Sequence, residues 1–289
     1  MKIRFKNWDY FYYLVTLTMY LLGVGIARYY GGDFKSLKTL IGVFWILCIL
    51  ISEKYMEFLF SPIGHIDEEL IKVKDEKRRQ FNLILLTFFL VSSAIAIILM
   101  MQISSFSIPI ILIVVFTYIL VASDYLQPVA LMKNGFYELS ISIFQFGLVP
   151  ALGFFTAAEK YNPALLIFCF PVFLISLAHH LVLGLSTYAQ DLTQKRRTLI
   201  ININWQNGIF FHSFILIISY LLIFSSMWLG ISTKLVFPAL LTFPIAVFQI
   251  IWVIGISQGK RPQWPFIVTV SAATLISTAY LMTYSLWVN

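Results

Sequence analysis

Along most of this chain the polar residues are widely spaced and the apolar ones run together. Nine stretches of about twenty residues, at 11–30, 36–60, 81–101, 105–123, 136–157, 163–188, 208–229, 234–256 and 266–288, carry few charges. At 1.5 Å of rise per helical residue, such a stretch crosses a hydrocarbon core of roughly 30 Å. The period-2 alternation of a lipid-facing barrel strand is not sustained anywhere, whereas a helix satisfies its backbone polar groups within the segment. The pattern therefore predicts an all-α, polytopic membrane protein with about nine transmembrane helices. No tandem repeat, low-complexity tract or Pro- or Gly-rich linker divides the sequence, so a single domain over residues 1–289 is expected.

Composition agrees with the pattern. Of 289 residues, 60% are hydrophobic and 11% charged, with a mean hydropathy of +0.87. Too little polar surface is left for a soluble enzyme of this size. The two cysteines, Cys48 and Cys169, both sit in apolar runs and offer neither a disulfide framework nor thiolate metal-ligand spacing. The basic N-terminus, Met1-Lys2-Ile3-Arg4-Phe5-Lys6, precedes an apolar run longer than a signal peptide's and without a small-residue cleavage site, so the first span is expected to be retained.

The net charge of +7 changes meaning once the cations are placed. They are confined to the connections between spans and to the span ends. One set holds Lys2, Arg4, Lys6, Lys54, Lys72, Lys74, Lys77, Arg78, Arg79, Lys133, Lys195, Arg196, Arg197, Lys260 and Arg261, and the other only Arg28, Lys35, Lys38, Lys160 and Lys234. Fifteen against five is a positive-inside bias. It predicts a multi-pass protein of the cell membrane with a cytoplasmic N-terminus and the C-terminus on the opposite side, and it argues for a lipid bilayer rather than nucleic acid as the partner. The longer connections, 61–80, 124–135, 189–207 and 257–265, fall on the cytoplasmic side, where a site is therefore sought.

Three segments there combine carboxylates with cations. In Ser52-Glu53-Lys54-Tyr55-Met56-Glu57, Glu53 and Glu57 are one helical turn apart and share a face. Ionisable groups at that depth are candidates for function, and the same spacing suits an interfacial helix end whose charges snorkel to water. In the segment from Tyr125 to Leu139, Pro128 stops the fourth helix, Gly135 permits the turn into the fifth, and Lys133 lies between; an ordinary connection with one topogenic lysine reads the same. In the third, Asp191 is followed by Lys195-Arg196-Arg197. A carboxylate with trailing cations suits a metal-bridged anionic ligand and equally suits a basic loop after a span.

Taken together and in order, these segments resemble the UbiA superfamily of intramembrane prenyltransferases. Tyr-x-x-Pro-x-x-Leu-x-x-x-Gly-x-x-Glu-Leu, from Tyr125 to Leu139, is similar to the loop between that family's fourth and fifth helices, above all in its menaquinone-type branch, which prenylates 1,4-dihydroxy-2-naphthoate. Asp191 with Lys195-Arg196-Arg197-Thr198-Leu199 resembles the second aspartate motif, and Leu21-Leu22-Gly23-Val24-Gly25-Ile26-Ala27 resembles the first helix. The resemblance implies helices around a central cavity in which two acidic motifs hold Mg²⁺ on a prenyl diphosphate, whose isoprenyl chain passes to an aromatic or other hydrophobic acceptor. Carried over residue by residue, it puts Glu53, Lys54, Glu57 and Ser61 at the four positions of the first motif, and Thr187 and Asp191 at the two aspartates of the second. It thereby implies Glu57 and Asp191 as catalytic residues, and Glu53, Glu57 and Asp191 as Mg²⁺ ligands. Lys54, Lys133, Lys195, Arg196 and Arg197 become the diphosphate-binding cations, and Tyr125 and Tyr188 cavity residues. With fewer acids than the family's motifs carry, two further readings stand beside the enzyme: a non-catalytic relative that binds an isoprenoid lipid, and a secondary transporter.

Other features carry weaker signals. His179 and His180 point about 100° apart on a helix, so they do not form a two-histidine metal site, and they are expected to be structural or cavity-lining. Asp124 either borders the cavity or caps the loop. The segment 66–80 reads as a short helix on the cytoplasmic membrane surface, and secondarily as a lid over the cavity.

Overall fold

The computed structural model describes residues 8–60, 76–103, 107–158 and 160–289; of residues 8–10, 76–78, 103 and 107 it describes the backbone alone. Ser61, His65, the segment 66–75 and the cations Lys2, Arg4, Lys6, Lys72 and Lys74 lie outside the described residues. Among those described, nine helices are long and apolar enough to span a membrane. They are α1 (Trp8–Tyr29), α2 (Ser36–Phe60), α3 (Glu76–Ile103), α4 (Ser107–Tyr125), α5 (Tyr137–Ala157), α6 (Ala164–Thr193), α7 (Trp205–Ser225), α8 (Thr233–Ser257) and α9 (Trp264–Val288). No strand is present among the described residues. Two short helices, Leu131–Asn134 and Leu199–Ile203, lie in the connections before α5 and α7.

Four elements depart from the pattern-based reading. Residues 76–80, expected on a surface helix, are the first turn of α3. The sixth span was expected to end at 188, where the apolar run ends, yet α6 continues to Thr193. No proline or glycine follows Gly184 in it, so the helix carries its polar last turns beyond the apolar stretch, and Asp191 stands on the helix rather than in a loop. Within α5, a π-helical turn at Phe144–Leu148 precedes Pro150; proline has no N–H to return to the preceding turn, and the ladder widens there. Helix α8 is interrupted between Leu240 and Phe243, with Pro238 and Pro244 on either side.

Small residues set the tightest helix pairs. A Cβ on Gly23 would collide with the Pro150 carbonyl, and one on Gly153 with the Tyr20 carbonyl, so α1 and α5 meet backbone to backbone. Close approach of this kind drives helix association in lipid, where burial of apolar side chains gives little. Helix α1 also packs on α9: Trp287 Nε1 donates to the Leu21 carbonyl at 3.0 Å, and Arg28 lies 5.2 Å from the Trp287 ring centre while donating to the Trp287 carbonyl. By contrast, Phe81, Ile84, Phe88, Val91, Ile95 and Ile98 form an exposed apolar stripe at helical spacing along α3. A stripe of that length, unmatched by any neighbouring helix, suits lipid.

Candidate functional site

The starts of α1, α5 and α9 and the ends of α2 and α6 gather at the end of the bundle that carries the longer connections. They enclose a cavity of about 460 Å³. Its mouth is acidic. Glu53, Lys54 and Glu57 line it from α2, Tyr137 and Glu138 from α5, and Thr187 and Gln190 from α6. Glu53 is buried and accepts a hydrogen bond from the Tyr137 hydroxyl at 2.9 Å. Lys54 Nζ lies 3.5 Å from a Glu57 oxygen, with both side chains nearly half exposed, a pair that contributes little to stability.

Glu138 stands in the first turn of α5, where the positive end of the helix dipole favours a carboxylate. Its Oε2 is buried without a hydrogen-bond partner. Asp191 is within electrostatic reach of Glu138 and lies one turn beyond Thr187, whose hydroxyl donates to Asp191 Oδ2 at 2.6 Å. Thr187 faces the cavity, with the Asp191 carboxylate held behind it.

Below the mouth the walls turn apolar and aromatic: Tyr12, Tyr13, Leu50, Ile141, Leu183 and Val268. His180 is seven residues before Thr187 on α6, about 10 Å deeper at 1.5 Å per residue. It lines the cavity and stacks on Tyr12 with ring centres 6.2 Å apart. His179 points elsewhere and bonds Ser271 of α9 at 3.0 Å, as the 100° offset requires. Gln145 enters the wall from the π turn of α5, buried, with its Nε2 unpartnered.

The structure thus brings together Glu53, Lys54 and Glu57, with Asp191 in contact through Thr187. It does not bring the other expected residues to this cavity. Lys133 and Tyr125 line a separate hollow beside the end of α2. Tyr188 is partly buried against a side cluster of the core that includes Leu181, Leu185 and Ile200. Lys195, Arg196 and Arg197 follow the end of α6, where the Arg196 N–H caps the Asp191 carbonyl at 2.9 Å, and none of the three lines the cavity. Because α6 runs on to Thr193, the basic run begins beyond the mouth instead of folding back over it.

Sequence reasoning also passed over Glu138, Tyr137, Gln190 and Gln145. Tyr137 and Glu138 lie inside the segment that carried the strongest resemblance, and a glutamate in the first turn of a predicted span was the available signal. Nothing in the sequence pointed to Gln145, since its direction depends on the π turn.

The donors at the mouth are hard carboxylate and hydroxyl oxygens, the kind Mg²⁺ takes, usually one or two carboxylates with phosphate oxygens and water making up the rest. Among the described residues no group of three or more His, Cys, Asp or Glu side chains is placed to hold a metal ion by itself. A metal held here would share its shell with an anionic ligand, and the Glu138 carboxylate, whose Oε2 is buried and unpartnered, is one donor beside the cavity.

No protein-family model matches the sequence, and no curated protein matches it. Among solved structures, the chain is similar to the apo structure of a UbiA homologue from Aeropyrum pernix K1, with a TM-score of 0.62 at 10% identity over 96% of this chain and 97% of that one. It is also similar to a UbiA homologue from Archaeoglobus fulgidus bound to GPP and Mg²⁺, with a TM-score of 0.55 at 11% identity over 94% and 99% of the two chains. Shared geometry over nearly the whole length, at identities this low, is a likeness of architecture, and by it the chain has the UbiA fold.

Proposed function

We propose that the protein binds an isoprenyl diphosphate in this cavity and transfers the isoprenyl chain to an aromatic or other hydrophobic acceptor within the membrane. One observation carries the reading: acids stand on two walls of the mouth, Glu53 and Glu57 on α2 against Glu138 on α5, with Asp191 of α6 just behind Thr187, above an apolar, aromatic chamber. The UbiA homologue from Archaeoglobus fulgidus is bound to GPP and Mg²⁺, a ligand whose charged head and apolar tail match these two zones.

In this reading Glu53, Glu57, Glu138 and Asp191 are the oxygen donors for Mg²⁺, which would neutralise the diphosphate and ease its departure. Lys54 adds a cation at the mouth. The N-termini of α1, α5 and α9 surround the same opening, and their dipoles favour a bound anion. Tyr12, Tyr13 and His180 present ring faces to the chain and keep water from the reacting carbon. The C–O bond to the diphosphate breaks with its electron pair on the leaving group. The acceptor then forms the new bond to that carbon and gives up a proton to the carboxylates of the mouth. By its positive-inside charge, the mouth faces the cytoplasm. The Tyr125-to-Leu139 resemblance favours a dihydroxynaphthoate-like acceptor.

The carboxylates of the cavity sit at helix ends rather than at the membrane midplane, which favours transfer over transport. Incubation of the purified protein with Mg²⁺, a labelled polyprenyl diphosphate and a panel of aromatic acceptors tests the proposal. Expected is a labelled lipid product with release of diphosphate, both lost in Glu57→Gln. Saturable binding with neither product nor release would identify an isoprenoid-lipid-binding relative, and the absence of binding would overturn both.

A further inference from the structure

The helices around the main cavity line it differently. Below the mouth, α1, α6 and α9 contribute Tyr12, Tyr13, His180, Leu183 and Val268, rings and apolar side chains that suit an isoprenyl chain. On α2 and α5 the lining below the acids is Leu50 and Ile141, and then Gln145, the innermost lining residue of α5. Gln145 is seven residues beyond Glu138, about 10 Å deeper at 1.5 Å per residue. It is 1% exposed, and its Nε2 has no hydrogen-bond partner. It also belongs to the π-helical turn of α5, a kind of turn found frequently at functional sites.

A buried amide N–H without an acceptor costs free energy until something accepts from it. The isoprenyl diphosphate offers nothing at that depth, because its chain is hydrocarbon and its oxygens stay with the acids of the mouth. The second substrate is what remains to complete Gln145. Leu50 and Ile141 leave an apolar approach to the amide, which suits a flat ring, and the amide calls for an oxygen on that ring. Charge then selects the kind of oxygen. A carboxylate buried so deep needs a cation beside it, and Lys54, the one cationic residue among the described lining, stands at the mouth. A neutral hydroxyl needs none, and it pairs with either end of the amide, accepting from Nε2 or donating to Oε1.

Resting on the transfer proposed above, we infer that Gln145 selects the acceptor: it binds the hydroxyl of an aromatic alcohol and holds the ring against Leu50 and Ile141, alongside the isoprenyl chain. The hydroxyl points inward and the opposite edge of the ring faces the mouth, where the carbon released from diphosphate is formed. Any carboxylate on the same acceptor then lies toward Lys54.

Calorimetric titration of the purified full-length protein with 1-naphthol and with 1-methylnaphthalene, in which a methyl group of similar size replaces the hydroxyl, tests this. The parent is expected to bind 1-naphthol about tenfold more tightly, the factor that one neutral hydrogen bond supplies. Gln145→Met keeps the length of the side chain and removes the amide. In it the affinity for 1-naphthol should fall to that for 1-methylnaphthalene, which itself should hold or rise. Its unfolding midpoint without ligand should also hold or rise, since an unpartnered buried amide is lost, whereas a glutamine that serves the fold would give a fall. Gln145→Leu repeats the comparison with a different shape. Equal affinities for the two arenes in the parent, a hydroxyl preference that survives in both variants, or a lower unfolding midpoint in both would each overturn the inference. Titration of the parent with geranyl diphosphate and Mg²⁺ separates the two readings. If that ligand does not bind while the hydroxyl preference and its dependence on Gln145 persist, prenyl transfer fails and the aromatic-alcohol site stands.

Discussion

Two polar clusters in this bundle are finished to different degrees. Deep between α7, α8 and α9, the hydroxyl oxygens of Tyr220, Thr242 and Thr278 lie 2.7 to 3.2 Å from one another, with the carbonyls of Ala239 and Thr274 also in reach, so their three protons are all shared within the cluster. The cluster closes on itself just where α8 is interrupted, supplying partners that a broken ladder needs in lipid. At the mouth, Glu138 Oε2 and Gln145 Nε2 are buried without a partner, and Glu53, Glu57 and Glu138 share one opening. This hydroxyl cluster is satisfied within the chain, whereas the acids around the cavity leave one Glu138 oxygen unpartnered beside a space large enough for a charged ligand. In a membrane, polar groups that close on one another hold helices together, whereas polar groups left open mark where something else binds.

Replacing the acids of the mouth should have the largest effect. Glu57→Gln combined with Glu138→Gln is expected to weaken Mg²⁺-dependent binding of a prenyl diphosphate by about 100-fold, or about 2.8 kcal/mol, measured by calorimetric titration. The pair should leave the unfolding midpoint close to the parent's. Gly153→Leu has the opposite profile. Its side chain meets the Tyr20 carbonyl, so a loss of about 1–3 kcal/mol is expected in denaturant unfolding, as for other overpacked sites.

Thr278→Val, in the closed cluster, should cost about 0.6 to 1.7 kcal/mol, the range measured for side-chain hydrogen bonds between membrane helices, and leave ligand affinity unchanged. A loss of affinity there comparable to that of the acid pair would erase the distinction between the clusters. Lys195→Ala and Arg197→Ala should change affinity by less than about threefold, as exposed charges outside the cavity do. Lys54→Ala should change it more, and salt should reduce the difference. A large effect at Lys195 would bring the basic run back to the mouth.

The positions of the nine spans were legible because apolar runs and lipid thickness depend on composition alone. Glu53 and Glu57 were legible as a pair because helical spacing fixes which residues share a face, and both line the cavity. Asp191 was expected in a loop and stands on α6: apolarity marks where lipid ends, not where a helix does. The place of the trailing cations depends on the same helix end. Positive-inside residues and ligand-binding cations look alike in a loop, and only the added turns of α6 show that Lys195, Arg196 and Arg197 stand beyond the mouth. Gln145 and the hollow around Asp124 depend on a π turn and on the meeting of α2, α4 and α5, which no local pattern records.

The central claim is that a diphosphate sits among Glu53, Glu57 and Glu138 with its isoprenyl chain running down toward His180. Photo-crosslinking with a prenyl diphosphate that carries a diazirine in its chain tests this directly. Label is expected on Tyr13, Leu183 and Val268, dependent on Mg²⁺ and lost in the Glu57→Gln, Glu138→Gln pair. Label confined to the lipid-facing stripe of α3 and undiminished by those substitutions would contradict it.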